Sequence, residues 1–222
     1  LQGGRARLLS ADEIALQYPK TWAYLVACAP MLRKREGGKW NHAQWHAFGR
    51  NQNLVEMAPP KLIVQVLLQN GRYAFDEAAC YFTGGGNAGY YGVRWHDASD
   101  RHSLHYLQGL LNSRLLDWLL HGISTPFRGG YWSYAKRFIA QLPIRLIDFS
   151  DPADRARHEE MVALVTRMLR LHEERAAAKT PHEKARIERE IAATDRRIDT
   201  LVYELYGLNE EEIAIVGGSG AA

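Results

Sequence analysis

From residue 152 to residue 206, apolar side chains recur every three or four positions, with one short interruption. Met161, Leu164, Met168, Leu171 and Ala178 mark the first run, with Arg175 at one imperfect position. Ile187, Ile191, Thr194, Ile198, Leu201 and Leu205 mark the second. This spacing puts each set on one face of an α-helix. Between the runs, Thr180-Pro181-His182-Glu183 has the form of a capping box with proline at the first helical position. Two long helices joined so closely must fold back, so the pattern predicts an antiparallel helical hairpin. Gly207 is suited to end the second helix. Asn209 is suited to cap a short third one that includes residues 210–215. Gly217-Gly218-Ser219-Gly220 reads as a flexible end.

Charge separates this region from the rest. Residues 1–150 hold 17 Lys and Arg against 10 Asp and Glu, whereas residues 151–222 hold 11 against 15. Any polyanion contact therefore belongs to the front of the chain. A hydrophobic content of 46%, with six Trp and eleven Tyr, sets the chain apart from disordered segments. No apolar run approaches the ~20 residues that span a bilayer, and no signal peptide is recognisable, so no membrane partner is expected. Cys28 and Cys80 form no CxxC pattern. That argues against a disulfide framework or a cysteine-rich zinc site, and for a reducing, cytoplasmic setting. A chain that begins at Leu1 is read as a fragment of something longer.

The front half alternates helix and strand signals. Ser10-Ala11-Asp12-Glu13 is a capping box. Pro19 suits the first turn of a second helix, which would carry Trp22, Leu25, Val26 and Leu32 inward and kink or end at Pro30. Arg33-Lys34-Arg35 and Lys39 follow. They are either a solvated helix end facing the negative pole of the dipole or a phosphate-contacting patch. Residues 61–68 form an apolar run of strand length. Asn70-Gly71 marks a turn, and Tyr73-Ala74-Phe75 the next strand of a hairpin. Cys80-Tyr81-Phe82-Thr83 and Tyr90-Tyr91-Gly92-Val93 read as two further strands around Gly84-Gly85-Gly86-Asn87.

Residues 104–144 read as an amphipathic helix carrying Leu107, Leu110, Leu111, Trp118 and Leu119, then a loop, a short helix and a Leu-Pro-Ile exit. The loop contains Phe127, Arg128, Gly129, Gly130, Tyr131, Trp132 and Tyr134, with Lys136 and Arg137 just beyond. Free backbone, a planar guanidinium and several aromatics suit a surface that meets a polyanion with flat bases. Aromatics packed inward account for the same composition. The expected fold is α+β: a small, mostly antiparallel sheet with packed helices, followed by the long antiparallel hairpin.

Catalytic and metal signatures are missing from the sequence. Gly84-Gly85-Gly86 has neither the spacing of a dinucleotide fingerprint nor the Gly-Lys-Ser/Thr of a P-loop. Ala58-Pro59-Pro60-Lys61 lacks the flanking residues that adenine amino-methylation requires. His42 and His46, four apart, have no third ligand nearby, and no metal is expected. No Gly-x-Ser-x-Gly elbow occurs, and the front-half carboxylates are scattered.

Several segments together resemble one family. They are Tyr18-Pro19 before a helix, the Gly-Leu-Leu-Asn-Ser core within residues 107–113, Arg128-Gly129-Gly130-Tyr131 before Leu142-Pro143-Ile144, and residues 198–208 with Glu210-Glu211-Glu212-Ile213. Across nearly the whole chain they resemble the C-terminal target-recognition region, the TaqI-like specificity domain, of adenine-specific DNA methyltransferases of type IIG restriction–modification enzymes. The hairpin is also similar to the helical spacers of type I specificity subunits. The resemblance implies a parent with an N-terminal methyltransferase domain that uses S-adenosylmethionine. Neither the glycine motif nor the Asn-Pro-Pro-Tyr motif for that chemistry is in this chain, so no catalytic residue and no cofactor is expected here.

On this reading residues 1–150 are the double-stranded-DNA-recognition domain, residues 151–216 a spacer or docking hairpin, and residues 217–222 a tail. Arg33, Lys34, Arg35, Lys39, Lys136 and Arg137 are expected to contact phosphates. Arg128 is either a base-edge contact or a structural arginine, Asn87 is a candidate for adenine, and Tyr131 and Tyr134 join the DNA-facing set. Two other readings stay open. One is a specificity subunit like those of type I systems. The other is a structural module whose hairpin docks on partners or dimerises through its seam.

Overall fold

Side-chain caps set most of the helix starts. The computed structural model describes residues 7–49, 54–84, 86, 88–95 and 101–218. The chain divides into two compact units, Leu1–Pro59 and Pro60–Ala222.

In the first unit, Ser10 and Glu13 form both halves of the expected capping box at α1 (Ala11–Gln17). Helix α2 (Pro19–Arg33) has proline at its first position, and the broken turn α3 (Arg35–Gly38) follows. Pro30 does not stop α2. It sits in the last turn, where the missing N–H costs one hydrogen bond, and the helix closes three residues later. Trp22, Leu25 and Leu32 are half-buried but Val26 is exposed, contrary to expectation. Helix α2 buries no residue completely, because so short a segment has little core to offer.

In the second unit, the apolar run at residues 61–68 is one extended segment that serves two sheets. Strand β1 (Lys61–Gln65) lies between β3 (Ala74–Asp76) and β4 (Tyr90–Val93), both antiparallel to it. Strand β2 (Leu67–Leu68) leaves for a second sheet. Val66 is the crossing point: its N–H donates to Gly89 O at 2.9 Å and its carbonyl accepts from Tyr134 N at 2.7 Å. The expected pairing of residues 73–75 with the run is present, with Leu62 opposite Phe75. Residues 80–83 form no strand. One backbone bond, Tyr90 N to Thr83 O, joins them to β4, and β4 pairs with β1 instead.

The long helix expected after residue 104 is two helices, α4 (Leu104–Leu111) and α5 (Arg114–Ile123). Ser113 caps α5, and its hydroxyl also donates to Leu110 O at 2.6 Å. The cap restarts the helical phase. Leu107, Leu110 and Leu111 of α4 and Leu115, Leu116 and Leu120 of α5 are therefore buried, while Trp118 is exposed. The expected loop beyond α5 is a β-hairpin, β5 (Pro126–Phe127) and β6 (Tyr131–Ser133), and β6 pairs with β2 on its other side. The single turn α6 (Lys136–Ile139) follows.

Helices α7 (Pro152–Ala177) and α8 (Pro181–Tyr206) form the antiparallel hairpin, capped by Asp151 and Thr180. Met161, Leu171, Ile187, Ile198, Leu201 and Leu205 are buried along its seam. Gly207, at φ 68°, ends α8, and Asn209 and Glu212 cap α9 reciprocally (Glu210–Gly218). Gly217 and Gly218, expected in the tail, belong to α9. The hairpin shares its core with the sheets, since α7 lies against α4. A Cβ at Gly109 would stand 2.3 Å from Met161 Sδ, so glycine there permits the close approach of the two helices. The architecture is α+β, as expected.

Candidate nucleic-acid interface

The β5–β6 hairpin turns through Arg128, Gly129 and Gly130, and the two glycines take φ values of 86° and 74°. Positive φ at consecutive positions explains why glycines are needed there. Arg128 is exposed at the tip, flanked by Phe127 and Tyr131, which are 38% and 42% exposed. Pairing of Leu68 with Trp132 brings the segment after β2 beside this tip. Gln69 Nε2 donates to Gly129 O at 3.1 Å. Leu68, Gln69, Asn70, Arg72 and Tyr131 line a small hollow of ≈ 150 Å³. Gln69, Asn70, Arg72 and Arg128 are all exposed, and none of the two arginines' guanidinium groups is in an ion pair among the described residues.

Two acid-free stretches build this surface. Residues 57–75 and 118–147 contain no Asp or Glu, yet they carry Lys61, Arg72, Arg128, Lys136, Arg137 and Arg145. Lys61 is withdrawn from the surface by a buried ion pair with Asp76 across the β1–β3 ladder. Burial pushes the Asp76 carboxyl up, but Lys61 and Cys80 outweigh it and leave it below the ordinary range. Arg145 is held by Asp154 at 2.7 Å. Arg72, Arg128, Lys136 and Arg137 remain on the surface, Arg137 lying over the Phe138 ring at 4.6 Å. Lys136 and Arg137 border a second shallow depression with Tyr91, Ala135 and Ala140.

Tyr134 is a correction. It is 1% exposed and its hydroxyl donates to Asp117 Oδ1, so it has no surface to present to DNA. Burial, and then the Asp117 charge, push its phenol far above the ordinary value and keep it a donor. Its partner Asp117 also accepts from Gly71 N at 2.8 Å. Asn87 lies outside the described residues.

The basic cluster of the first unit divides. Arg35 is half-buried and donates to the carbonyls of Leu32, Trp45 and Ala47 at 2.9, 2.6 and 3.1 Å, while its guanidinium lies 4.3 Å over Trp40. Arg33 donates to Asn41 Oδ1 at 3.1 Å and lies 5.2 Å over Trp45. These two arginines hold residues 40–47 against α2, a structural use different from the solvated helix end expected. Lys34 and Lys39 are exposed. His42 and His46 make separate bonds, His42 accepting from Gln44 N and His46 meeting Leu9 O.

Of the motifs that carry the resemblance, those at residues 107–113 and 198–208 hold most of the buried residues, whereas Tyr18-Pro19, residues 128–131 and Glu210 to Glu212 are exposed. Asn112 grips the backbone of Tyr73 twice, accepting from its N–H at 2.7 Å and donating to its carbonyl at 3.1 Å. Asp199 of α8 accepts from Arg114 N at 2.9 Å and pairs with the Arg114 side chain at 3.1 Å, at the start of α5. Burial holds the Asp199 carboxyl above its ordinary value despite that N–H. The Tyr206 hydroxyl donates to Pro143 O at 2.6 Å and accepts from Arg145 N at 3.2 Å. Within the second unit, these bonds tie residues 112–114, 143–145 and 199–206 into the fold.

No protein-family model matches the chain. It is 25% identical over 213 residues to the type II restriction enzyme and methyltransferase RM.Eco57I of Escherichia coli, an alignment that covers 94% of this chain. The chain is related to a restriction–modification protein. It spans about a fifth of that relative's length, 21%. Both sheets pair antiparallel in every described ladder.

Asn70 and Arg72 stand on this exposed edge, and the sequence does not single them out. Asn70-Gly71 was legible only as a turn. The available signal was the absence of acidic residues from 57 to 75 around the polar run at residues 69–72.

Proposed function

We propose that this chain is the sequence-specific DNA-recognition module, of the TaqI-like kind, of a restriction–modification adenine-N6 methyltransferase. The observation that carries the reading is the exposed edge at residues 69–72 and 127–131. Unpaired arginines, amide side chains and exposed aromatics there are drawn from two acid-free stretches. A duplex is a line of phosphates with base edges in its grooves. Arg128, on a glycine turn, reaches a groove, while Lys136, Arg137, Lys34 and Lys39 suit phosphates. Tyr131 and Phe127 supply flat apolar surface at the same tip. Arg167, Arg175, Arg186 and Arg197 of the α7–α8 hairpin are already paired with glutamates, at 3.4 and 2.7 Å for the first two. The hairpin is accordingly the spacer and docking part. The adenine chemistry and its S-adenosylmethionine belong to a methyltransferase domain of the same parent protein, with which this module closes around the duplex. Extruding a base costs a few kcal/mol, and a second grip on the duplex helps to supply it.

The test is selection from duplexes with a randomised core at several salt concentrations. Enrichment of one short motif is expected. Arg128→Ala should relax choice at one base pair by about 1–3 kcal/mol. Lys136→Ala should weaken all sequences alike and lower the salt slope by about one unit. Absence of binding at low salt would overturn the reading and favour a docking role for the hairpin.

A further inference from the structure

The two loops of the edge are 60 residues apart in sequence, counted from Gln69 to Gly129, and one half-buried carboxylate joins them. Asp117 Oδ1 accepts from Gly71 N at 2.8 Å and from the Tyr134 hydroxyl. Gly71 sits between Asn70 and Arg72. Tyr134 follows the strand that returns from Arg128. At the outer end, the bond from Gln69 to Gly129 O closes the same two loops. Space is tight at the junction. A Cβ on Gly71 would lie 3.0 Å from Asp117 Oδ1, 3.4 Å from Tyr134 Cε1 and 3.5 Å from Leu111 O. His121 completes the cluster, its Nε2 3.1 Å from the Tyr134 hydroxyl and its ring stacked on Trp132 at 4.6 Å.

Resting on the DNA-recognition reading above, we propose that Asn70 and Arg72 are sequence-determining residues that read base pairs adjoining the one read by Arg128. Asp117 and Tyr134 are the positioning residues that hold the two loops in register. An amide can bond adenine at two atoms and a guanidinium can bond guanine at two, and both pairings fail when the donor is misplaced by a fraction of a bond length. The side chains of Asn70 and Arg72 are exposed and make no hydrogen bond among the described residues, so they are available for such contacts. Neither the turn at residues 69–72 nor the tip at 128–130 has a core of its own. Their relative position is set by the β2–β6 pairing, by the Gln69 bond at the outer end and by Asp117 on α5 at the inner end.

The same selection experiment, read position by position, tests this. Arg72→Ala and Asn70→Ala should each lower discrimination at one base pair by about 5- to 150-fold, at positions different from that of Arg128. Tyr134→Phe removes one hydroxyl and keeps the ring. It should blur choice at positions read by both loops while the salt slope stays unchanged. Asp117→Ala should do the same more strongly, and Asp117→Asn, which keeps an acceptor oxygen, should restore part of the choice. Melting curves for each variant separate misfolding from mispositioning. If the unaltered chain enriches a motif and Arg72→Ala and Asn70→Ala enrich the same one equally well, this assignment is overturned and the recognition reading stands. If Arg72→Ala weakens all sequences alike and lowers the salt slope, Arg72 is a phosphate contact and the assignment fails for it. If the unaltered chain enriches nothing, the recognition reading itself fails.

Discussion

At the scale of single residues, burial decides what a side chain is for. Tyr131 and Tyr134 are three apart in the same aromatic stretch, yet one is exposed and the other sits beneath the sheet on Asp117. Burial rises along β6 from exposed Tyr131 through half-buried Trp132 to buried Ser133 and Tyr134, as the strand runs from the tip into the core, and composition cannot show it. Arg33 and Arg35 teach the same lesson, since cations in a basic cluster are consumed by local carbonyls and tryptophan faces. His158 gives a pH prediction at this scale. It is buried on α7, and its Nε2 accepts from Ser103 N at 3.1 Å, an arrangement only the neutral ring can make. Burial, and then His102, hold its imidazole below the ordinary value of 6.5. The unfolded chain therefore takes up this proton first as pH falls. The contribution to stability is present above pH 6.5 and is lost as pH falls through the lower folded value. Melting temperature should drop on acidification across this range. His158→Gln, which keeps an acceptor and does not titrate, should flatten the curve, and equal slopes in both proteins would assign the effect to other groups. Asp154 adds a loss of the same sign at lower pH, because the Asp148 N–H outweighs burial and, with Arg145, keeps its carboxyl below the ordinary range.

At the scale of elements, caps and glycines proved the most readable signals, and strand ends the least. Ser10, Thr180, Gly207 and Asn209 begin or end helices as their residue types demand. Ser113 lies within one helical pattern in the sequence but begins a helix in the fold, because its hydroxyl answers both the end of α4 and the start of α5. Ser113→Ala should cost about 1–2 kcal/mol, the upper range for a cap, since the site is buried. Chemical denaturation would measure this, and a change under 0.5 kcal/mol, the usual size of a neutral surface substitution, would show that the Asp199 contact alone sets the start of α5. The run at residues 61–68 was legible as extended and buried. Its division between two sheets was not, because that depends on Gly89 and Tyr134, which are distant in sequence and meet Val66 only in the fold.

At the scale of the whole molecule, the second unit holds the sheets, the candidate edge and much of the hairpin around one core, with a small separate cluster of Leu171, Ala178 and Ile187 where α7 meets α8. Residues 60–222 produced alone should therefore melt in one cooperative transition and retain the base choice of residues 69–72 and 127–131. Scanning calorimetry with the duplex selection would check both. Separate transitions for sheet and hairpin would contradict a shared core. The sequence by itself determined the α+β class, the helical hairpin and its caps, the glycine turn that presents Arg128, and the basic character of the front half. Each depends on periodicity, backbone freedom or charge, which are properties of neighbouring residues. Only the tertiary structure decided that Tyr134 is buried, that the run at residues 61–68 feeds two sheets, and that Asn70 and Arg72 share a hollow with Tyr131 of the glycine hairpin. Those outcomes depend on contacts such as Gly71 to Asp117 and Gln69 to Gly129, which join segments distant along the chain and leave no local pattern to read.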